Sequence, residues 1–143
     1  MRTILAFAIA LVCTLPVIAR EDASGALLQI VFQKGYDFAN FDDAIPAGQT
    51  RGYSLHVRKG QTIKMKVVAP ENDVVFSLYA PGAAVWREDY KSPMVVEGTA
   101  LVSRHTANDI WTIAAPSTGD YVILFEQAHD TSIASFGGAV IVR

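Results

Sequence analysis

The residue types that most often perform catalysis do not form a recognisable motif in this chain. Its three histidines, His56, His105 and His129, lie far apart, and none has a second ligand at the spacing of a metal site. The motifs of serine hydrolases, zinc proteases and phosphate-binding loops are absent. The single cysteine, Cys13, lies in the N-terminal leader. The sequence therefore predicts a protein that is not an enzyme and needs no metal or cofactor.

Four aspartates offer a second kind of chemistry, calcium binding. Asp37, Asp42, Asp43 and Asp73 fall in or near predicted turns, and calcium prefers several oxygen ligands from flexible loops. The regular D-x-D-x-D-G spacing of a calcium loop is missing. We favour solvated turn residues, and Asp42 and Asp43 could also discourage pairing at a strand edge.

The strongest candidates for binding lie in two stretches without regular periodicity. One stretch combines tryptophan, tyrosine and arginine, which is the composition of a protein-interface anchor and also of a sugar-stacking platform. Aromatic side chains folded back over the sheet are the structural alternative. The predicted partner-binding residues are Trp86, Arg87, Tyr90, Arg104, His129, Asp130 and Ser132.

Residues 1–19 have the pattern of a secretory signal peptide. Arg2 precedes a long apolar run, and small or aliphatic residues lead to Ala19, after which we expect cleavage. Pro16 and the charged residues after Ala19 argue against a retained membrane anchor. We therefore predict a bacterial periplasmic or secreted protein without a membrane span. Cleavage removes Cys13 and with it any disulfide.

The mature chain has the size of one domain and a mildly acidic balance. Removing 19 of 143 residues leaves 124, and loss of Arg2 changes the formal charge from −2 to −3. That charge disfavours nucleic-acid binding. We predict a flexible lead-in over residues 20–26 and a β-domain over 27–143.

The elements that must position these residues are strands, because apolar side chains recur with a period of two. In "GYSLHV" (52–57) and "TIKMKV" (62–67) apolar and polar residues alternate on either side of Lys59 and Gly60. Two such runs around a glycine turn predict a β-hairpin.

Further strands are predicted between turn signals, and no stretch shows the periodicity of a helix. Residues 83–109 are predicted to be largely irregular, with short strands possible at 94–96 and 100–102. The other predicted strands are 28–33, 38–45, 74–79, 110–114, 121–125 and 138–143. Regularly spaced strands with Gly, Pro, Asn and Asp turns favour a single all-β, antiparallel β-sandwich of jelly-roll type.

Several of these turns resemble those of a known family. The matching elements are Phe32-x-Lys34-Gly35, Gly52-Tyr53, Lys59-Gly60-Gln61 and Pro116 with Gly119-Asp120-Tyr121. The pattern, over about residues 28–143, resembles the bacterial periplasmic inhibitors of g-type lysozyme. It is also similar to the bacterial pre-peptidase C-terminal domain. Turn and core residues carry both resemblances, so they indicate fold more than activity.

The resemblance implies a non-catalytic protein whose loops occlude the active cleft of a lysozyme, with the g-type favoured. The inhibitors tend to carry an Arg- and Asn-rich segment where this chain has "EQAHDTSIASFGG", which contains no arginine. Residues 86–107 also form a longer segment than in the family. A carbohydrate- or calcium-binding accessory module of the cell envelope is the alternative, and a structural envelope protein is a third.

Overall fold

The computed structural model describes residues 20–143, so the predicted signal peptide and Cys13 lie outside the described residues. Apart from two short 3-10 helices, Ser24–Ala26 and Pro70–Asn72, the regular structure of this part of the chain is β-strand. No helix within residues 20–143 has the length and apolar character needed to cross a membrane. The strands are β1 (Glu21–Asp22), β2 (Leu28–Ile30), β3 (Phe38–Pro46), β4 (Thr50–Val57), β5 (Thr62–Val68), β6 (Val74–Tyr79), β7 (Ala84–Arg87), β8 (Val95–Glu97), β9 (Ala100–Thr106), β10 (Ile110–Ala114), β11 (Gly119–Gln127) and β12 (Ile133–Val142).

Two sheets pack face to face around one apolar core. The five-stranded sheet has the order β2-β4-β11-β6-β9, and the four-stranded sheet has the order β10-β5-β12-β3. All pairs are antiparallel except β2 with β4. The predicted all-β, antiparallel sandwich is therefore confirmed. As expected, the apolar residues of 52–57 and 62–67 point inward. Fully buried among them are Leu55, Val57, Ile63, Met65 and Val67.

The strands on either side of Lys59-Gly60 do not form the predicted hairpin. β4 pairs with β11 in one sheet, and β5 pairs with β10 and β12 in the other. The turn thus carries the chain from one sheet to the other, with Gly60 at φ +87 and its N–H donating to Ala115. The prediction of pairing was wrong because alternation reports only which face of a strand is buried. A short glycine turn suits a hairpin and an inter-sheet crossing equally well.

The segment predicted as irregular, residues 83–109, contains three strands. β7 and β8 pair with each other, and β1 joins them in a small three-stranded sheet. β9 extends the five-stranded sheet beside β6, with shifts in register near Ser77. The possible short strands at 94–96 and 100–102 thus correspond to β8 and β9, whereas β7 was not predicted and the segment is more regular than expected. Two of these strands are only three and four residues long, and Arg104 has φ +48, which interrupts the alternation in β9.

The small sheet covers the outer face of the five-stranded sheet. Its core contains Ala23, Val85 and Val122, with Leu27 and Met94 packed beside them. Residues 20–26, for which the sequence predicts a flexible lead-in, have fixed neighbours here, because β1 pairs with β7 and Ala23 is completely buried. The lead-in shows no periodicity because its strand has only two residues.

A cluster of aromatic rings fills the centre of the sandwich. Phe125 stacks on Phe136 at 4.4 Å between ring centroids and meets Tyr53 edge-on at 5.6 Å. The Tyr53 hydroxyl donates a 2.8 Å hydrogen bond to Asp43, whose other oxygen lies 3.5 Å from Arg51. Burial, and then the hydrogen bond to Asp43, raises the pKa of Tyr53 well above its ordinary value.

Replacing Tyr53 with phenylalanine is expected to lower the free energy of unfolding at pH 7 by about 1–2 kcal/mol, because Asp43 loses its donor. The stabilisation that accompanies the raised pKa is fully present below about pH 10, the pKa of tyrosine in the unfolded chain. It is lost as the pH rises through the pKa of Tyr53 in the folded protein. Thermal unfolding at pH 7 and pH 11 should therefore show a smaller difference between Tyr53→Phe and wild type at pH 11. Tyr36→Phe, at an exposed tyrosine, is the matched control. If Tyr53→Phe and wild type differed in stability as much at pH 11 as at pH 7, the assigned role of the Tyr53 hydroxyl would be contradicted.

Candidate functional site

Three connecting segments meet at one end of the sandwich. The turn between β3 and β4 donates a hydrogen bond from Ala47 N–H to the Ser132 carbonyl, at 3.1 Å, in the loop between β11 and β12. The turn between β7 and β8 ends at Met94, whose N–H donates to the Thr50 hydroxyl at 2.9 Å. Thr50 in turn is the cross-strand partner of Glu126, just before the β11–β12 loop. These contacts place both predicted binding stretches at the same end of the fold.

Arg104 is held at this end from both its backbone and its side chain. Its N–H donates a 3.0 Å hydrogen bond to the buried hydroxyl of Ser77. Its guanidinium lies 3.1 Å from Glu126, and 53% of the Arg104 side chain stays exposed. A guanidinium has five N–H donors, so one carboxylate leaves several for a partner. Sequence reasoning missed Glu126, which follows a continuous apolar run in β11 and gives no signal of its own.

Tyr90 projects from an ordered turn. The Asp89 carboxylate accepts hydrogen bonds from Lys91 N–H at 2.8 Å and from Ser92 N–H at 2.9 Å. The hydrogen bond from Lys91 N–H is the main reason that the pKa of Asp89 lies below its ordinary value. Tyr90 itself is 69% exposed, an unusual position for a large aromatic side chain. The turn thus presents an aromatic ring whose backbone is already ordered, which reduces the entropy cost of binding.

Trp86 and Arg87 have partners inside the protein. The Arg20 guanidinium lies 3.8 Å from the centroid of the Trp86 ring, and Arg87 forms a 3.2 Å ion pair with Glu21. Only 18% of the Arg87 side chain is exposed. Both residues fasten β1 to β7. The ring face that Arg20 covers is not available to a sugar, and the role of the two residues in binding a partner stays a prediction.

The loop between β11 and β12 presents His129, Asp130 and Ser132 to solvent. The loop is tethered by its neighbours: Ala128 N–H donates to the Asp73 carbonyl, and Gln127 accepts from Thr131 N–H. The exposed Ile133 follows directly and adds an apolar contact surface that sequence reasoning missed. It was missed because the predicted strand begins at residue 138, whereas β12 begins at Ile133.

The acidic and histidine side chains do not assemble into a metal site within residues 20–143. No group of three or more His, Cys, Asp or Glu side chains there is placed to hold a metal ion. Asp37 pairs with Arg143, and Asp43 pairs with Tyr53 and Arg51. The 2.8 Å contact between His56 and Asp120 lies in the cross-strand pair of β4 and β11, at the opposite end from Thr50 and Glu126. The Tyr90 end therefore presents an exposed aromatic ring and a half-exposed guanidinium, separate from the His56–Asp120 pair.

The sequence matches no protein-family model and none of the curated proteins compared with it. The structure superposes on the periplasmic inhibitor of g-type lysozyme from Aeromonas hydrophila, with a TM-score of 0.60 and 22% identity over 82% of this chain and 96% of that chain. A mutant of the Escherichia coli inhibitor of g-type lysozyme gives a TM-score of 0.56 and 16% identity, over 81% and 96%. The chain has the fold of these periplasmic lysozyme inhibitors.

The resemblance inferred from the turn motifs is thereby confirmed at the level of fold. The pre-peptidase C-terminal domain of a Bacillus anthracis collagenase is also similar, at a TM-score of 0.46, 12% identity and coverage of 82% of this chain and 94% of that chain, which is too low to support an argument. The match covers 96% of both inhibitor chains, so nearly their whole length is shared with this fold.

Proposed function

We propose that this protein is an exported, non-catalytic inhibitor of a lysozyme, with the g-type class favoured. The single observation that carries the proposal is the superposition on 96% of the length of a periplasmic g-type lysozyme inhibitor. The pattern of residues 1–19 supports export to the periplasm or beyond. An inhibitor in that compartment would protect the cell wall from lytic enzymes.

The proposed inhibitory surface is the sandwich end that carries Tyr90, Arg104 and the loop with His129, Asp130 and Ser132. Lysozymes cleave glycosidic bonds with carboxylates in a cleft, so a guanidinium that enters the cleft has a complementary partner. Arg104 supplies that guanidinium, and while some of its N–H groups bind the lysozyme carboxylate, others can stay paired with Glu126. Tyr90 supplies exposed aromatic area that becomes buried on binding, as hot-spot tyrosines do at interfaces.

A cell-wall clearing assay tests the proposal directly. Purified residues 20–143, which contain every strand described, are mixed with g-, i- and c-type lysozymes in separate reactions. We expect the g-type reaction to slow in proportion to added protein, and the i- and c-type reactions to slow less. Absence of inhibition of all three at a micromolar excess of protein would contradict the proposal. A heat-unfolded sample is the control for nonspecific effects.

A further inference from the structure

The outer face of the four-stranded sheet is not covered by any other described element. Its central row places Lys64 between Thr112 of β10 and Ile141 of β12, and Ile141 in turn pairs with Phe38 of β3. In the next row Lys66 lies between Ile110 and Ala139. Lysines and apolar side chains therefore share a solvent-facing surface, which also carries the exposed Asp42 of β3 in the row of Val68 and Gly137. We call this surface, residues 38, 64, 66, 110 and 141, the basic sheet face.

The cations of the basic sheet face have no acidic partners among the described residues. No ion pair within residues 20–143 involves Lys64 or Lys66, nor Lys34 and Lys59 in the neighbouring turns. Those two turns lie beside this face because Thr62 and Asp37, which follow them, both hydrogen-bond to the end of β12. The only described basic group there with a carboxylate partner is Arg143, which pairs with Asp37.

The opposite face of the molecule carries charges of both signs. The small sheet and its β7–β8 turn lie on the outer face of the five-stranded sheet and carry Glu21, Asp22, Glu88, Asp89 and Glu97 together with Arg87 and Lys91. Charges there pair with one another, as Arg87 does with Glu21. The lysines of the basic sheet face form no such pair within residues 20–143, so they remain able to orient the protein at an anionic surface.

Exposed aromatic side chains lie at the edge of the basic sheet face. Tyr36 and Phe38 are 56% and 40% exposed, and their rings meet edge-on with centroids 5.5 Å apart. They border a shallow recess of 410 Å³ that is also lined by Val31, Gln33 and Asn40. Aromatic rings next to lysines are the side-chain combination found at the boundary between lipid headgroups and acyl chains.

We propose that the basic sheet face binds the surface of a bilayer that contains anionic phospholipids. The lysine ammonium groups contact headgroup phosphates, and Tyr36 and Phe38 enter the interfacial layer. Dispersed lysines on flexible side chains match a two-dimensional array of headgroup phosphates, and the exposed rings of Tyr36 and Phe38 beside them favour a lipid interface over an acidic protein. Bound in this way, the protein turns its small sheet and the Tyr90 turn away from the membrane. This inference does not depend on lysozyme inhibition.

Vesicle co-sedimentation tests the proposal. Residues 20–143 are incubated with phosphatidylcholine vesicles, with or without phosphatidylglycerol, at low and high salt. We expect binding only with phosphatidylglycerol, and weaker binding at high salt because the charges are exposed. Lys64→Glu and Lys66→Glu should each lower the partition coefficient roughly 30-fold, since each reverses one charge near the surface, where a unit charge contributes on the order of 1 kcal/mol. Lys91→Glu, the same charge change on the opposite face, should bind like wild type.

Tryptophan fluorescence gives a second readout of orientation. In Tyr36→Trp the emission should shift to the blue on adding anionic vesicles, whereas the matched Tyr90→Trp should show no shift. Equal binding of Lys64→Glu and wild type, binding to pure phosphatidylcholine, or an unchanged Tyr36→Trp spectrum would each overturn the proposal. Melting temperatures within a few degrees of wild type establish that the variants are folded.

Discussion

Replacing Gly138 with alanine is expected to be among the most destabilising single-methyl changes in this protein. Gly138 occupies an inward position of β12, between the buried Phe136 and Val140. A Cβ added there would lie 2.0 Å from the Lys66 carbonyl oxygen and 3.1 Å from the Phe41 ring. The first contact is with the backbone of the adjacent strand, so it cannot be relieved by a rotamer change. We expect a loss of about 3 kcal/mol or more in the free energy of unfolding.

The reason for a glycine at this point is the close approach of the Lys66 backbone carbonyl, and the Phe41 ring fills the space on the other side. Phe41 packs against Phe125 at 5.5 Å and Phe136 at 6.1 Å between ring centroids. Thermal unfolding should show a drop of about 10 °C or more for Gly138→Ala. Gly25→Ala is the control, since its Cβ would meet nothing within 4 Å. Equal melting temperatures for the two variants would contradict this account of the core.

Removing Tyr90 and Arg104 together is expected to cost most of the proposed inhibitory activity. Each side chain is the kind of exposed aromatic or arginine anchor whose truncation to alanine commonly costs about 2 kcal/mol or more at an interface. Tyr90→Ala and Arg104→Ala should therefore each raise the inhibition constant toward the favoured lysozyme roughly 30-fold. The double variant should be weaker still, without strict additivity because both residues contact one partner.

The fold should tolerate these two changes, which separates binding from stability. Tyr90 is exposed, and the Arg104 hydrogen bond to Ser77 comes from the backbone and survives truncation. The ion pair with Glu126 is half exposed and contributes little to stability. Lys64→Ala, on the basic sheet face, is the matched control and should inhibit like wild type. Full inhibition by the double variant would place the inhibitory surface elsewhere on the molecule.

Alternation in the sequence located the long strands, because each inward apolar residue lowers the free energy by leaving water. β4, β5 and β6 lie where "GYSLHV", "TIKMKV" and "VVFSLY" predict them, although β6 is buried on both faces. The same reasoning missed β7 and found only short pieces of β8 and β9. β7 and β8 have four and three residues, too few to display a period, and Arg104 at φ +48 interrupts the alternation in β9.

The candidate site was predicted in composition but not in arrangement. The sequence singled out Tyr90 and Arg104 as an aromatic and a cation outside periodic runs. It could not show that Arg104 reaches Glu126, 22 residues farther along the chain, or that Trp86 lies under Arg20. Both contacts depend on strand pairing between distant parts of the chain: β9 and β11 flank β6, and β1 pairs with β7. Charge and aromatic character are local properties, whereas partners are decided by pairing between strands.

By itself, the sequence determined the class of fold and the positions of most long strands. It also showed that the turns around Lys34-Gly35 and Lys59-Gly60 resemble those of the g-type lysozyme inhibitors. These follow from local chemistry: the period of apolar burial and the backbone freedom of glycine. Only the tertiary structure decided that β4 and β5 belong to opposite sheets and that Gly138 makes room for the Lys66 carbonyl of the adjacent strand. It also collected four unpaired lysines on one side of the sandwich and the Tyr90 turn with Arg104 at one end. Such choices are settled by which long-range pairings bury the most apolar surface with every backbone group hydrogen-bonded, and no local pattern encodes that comparison.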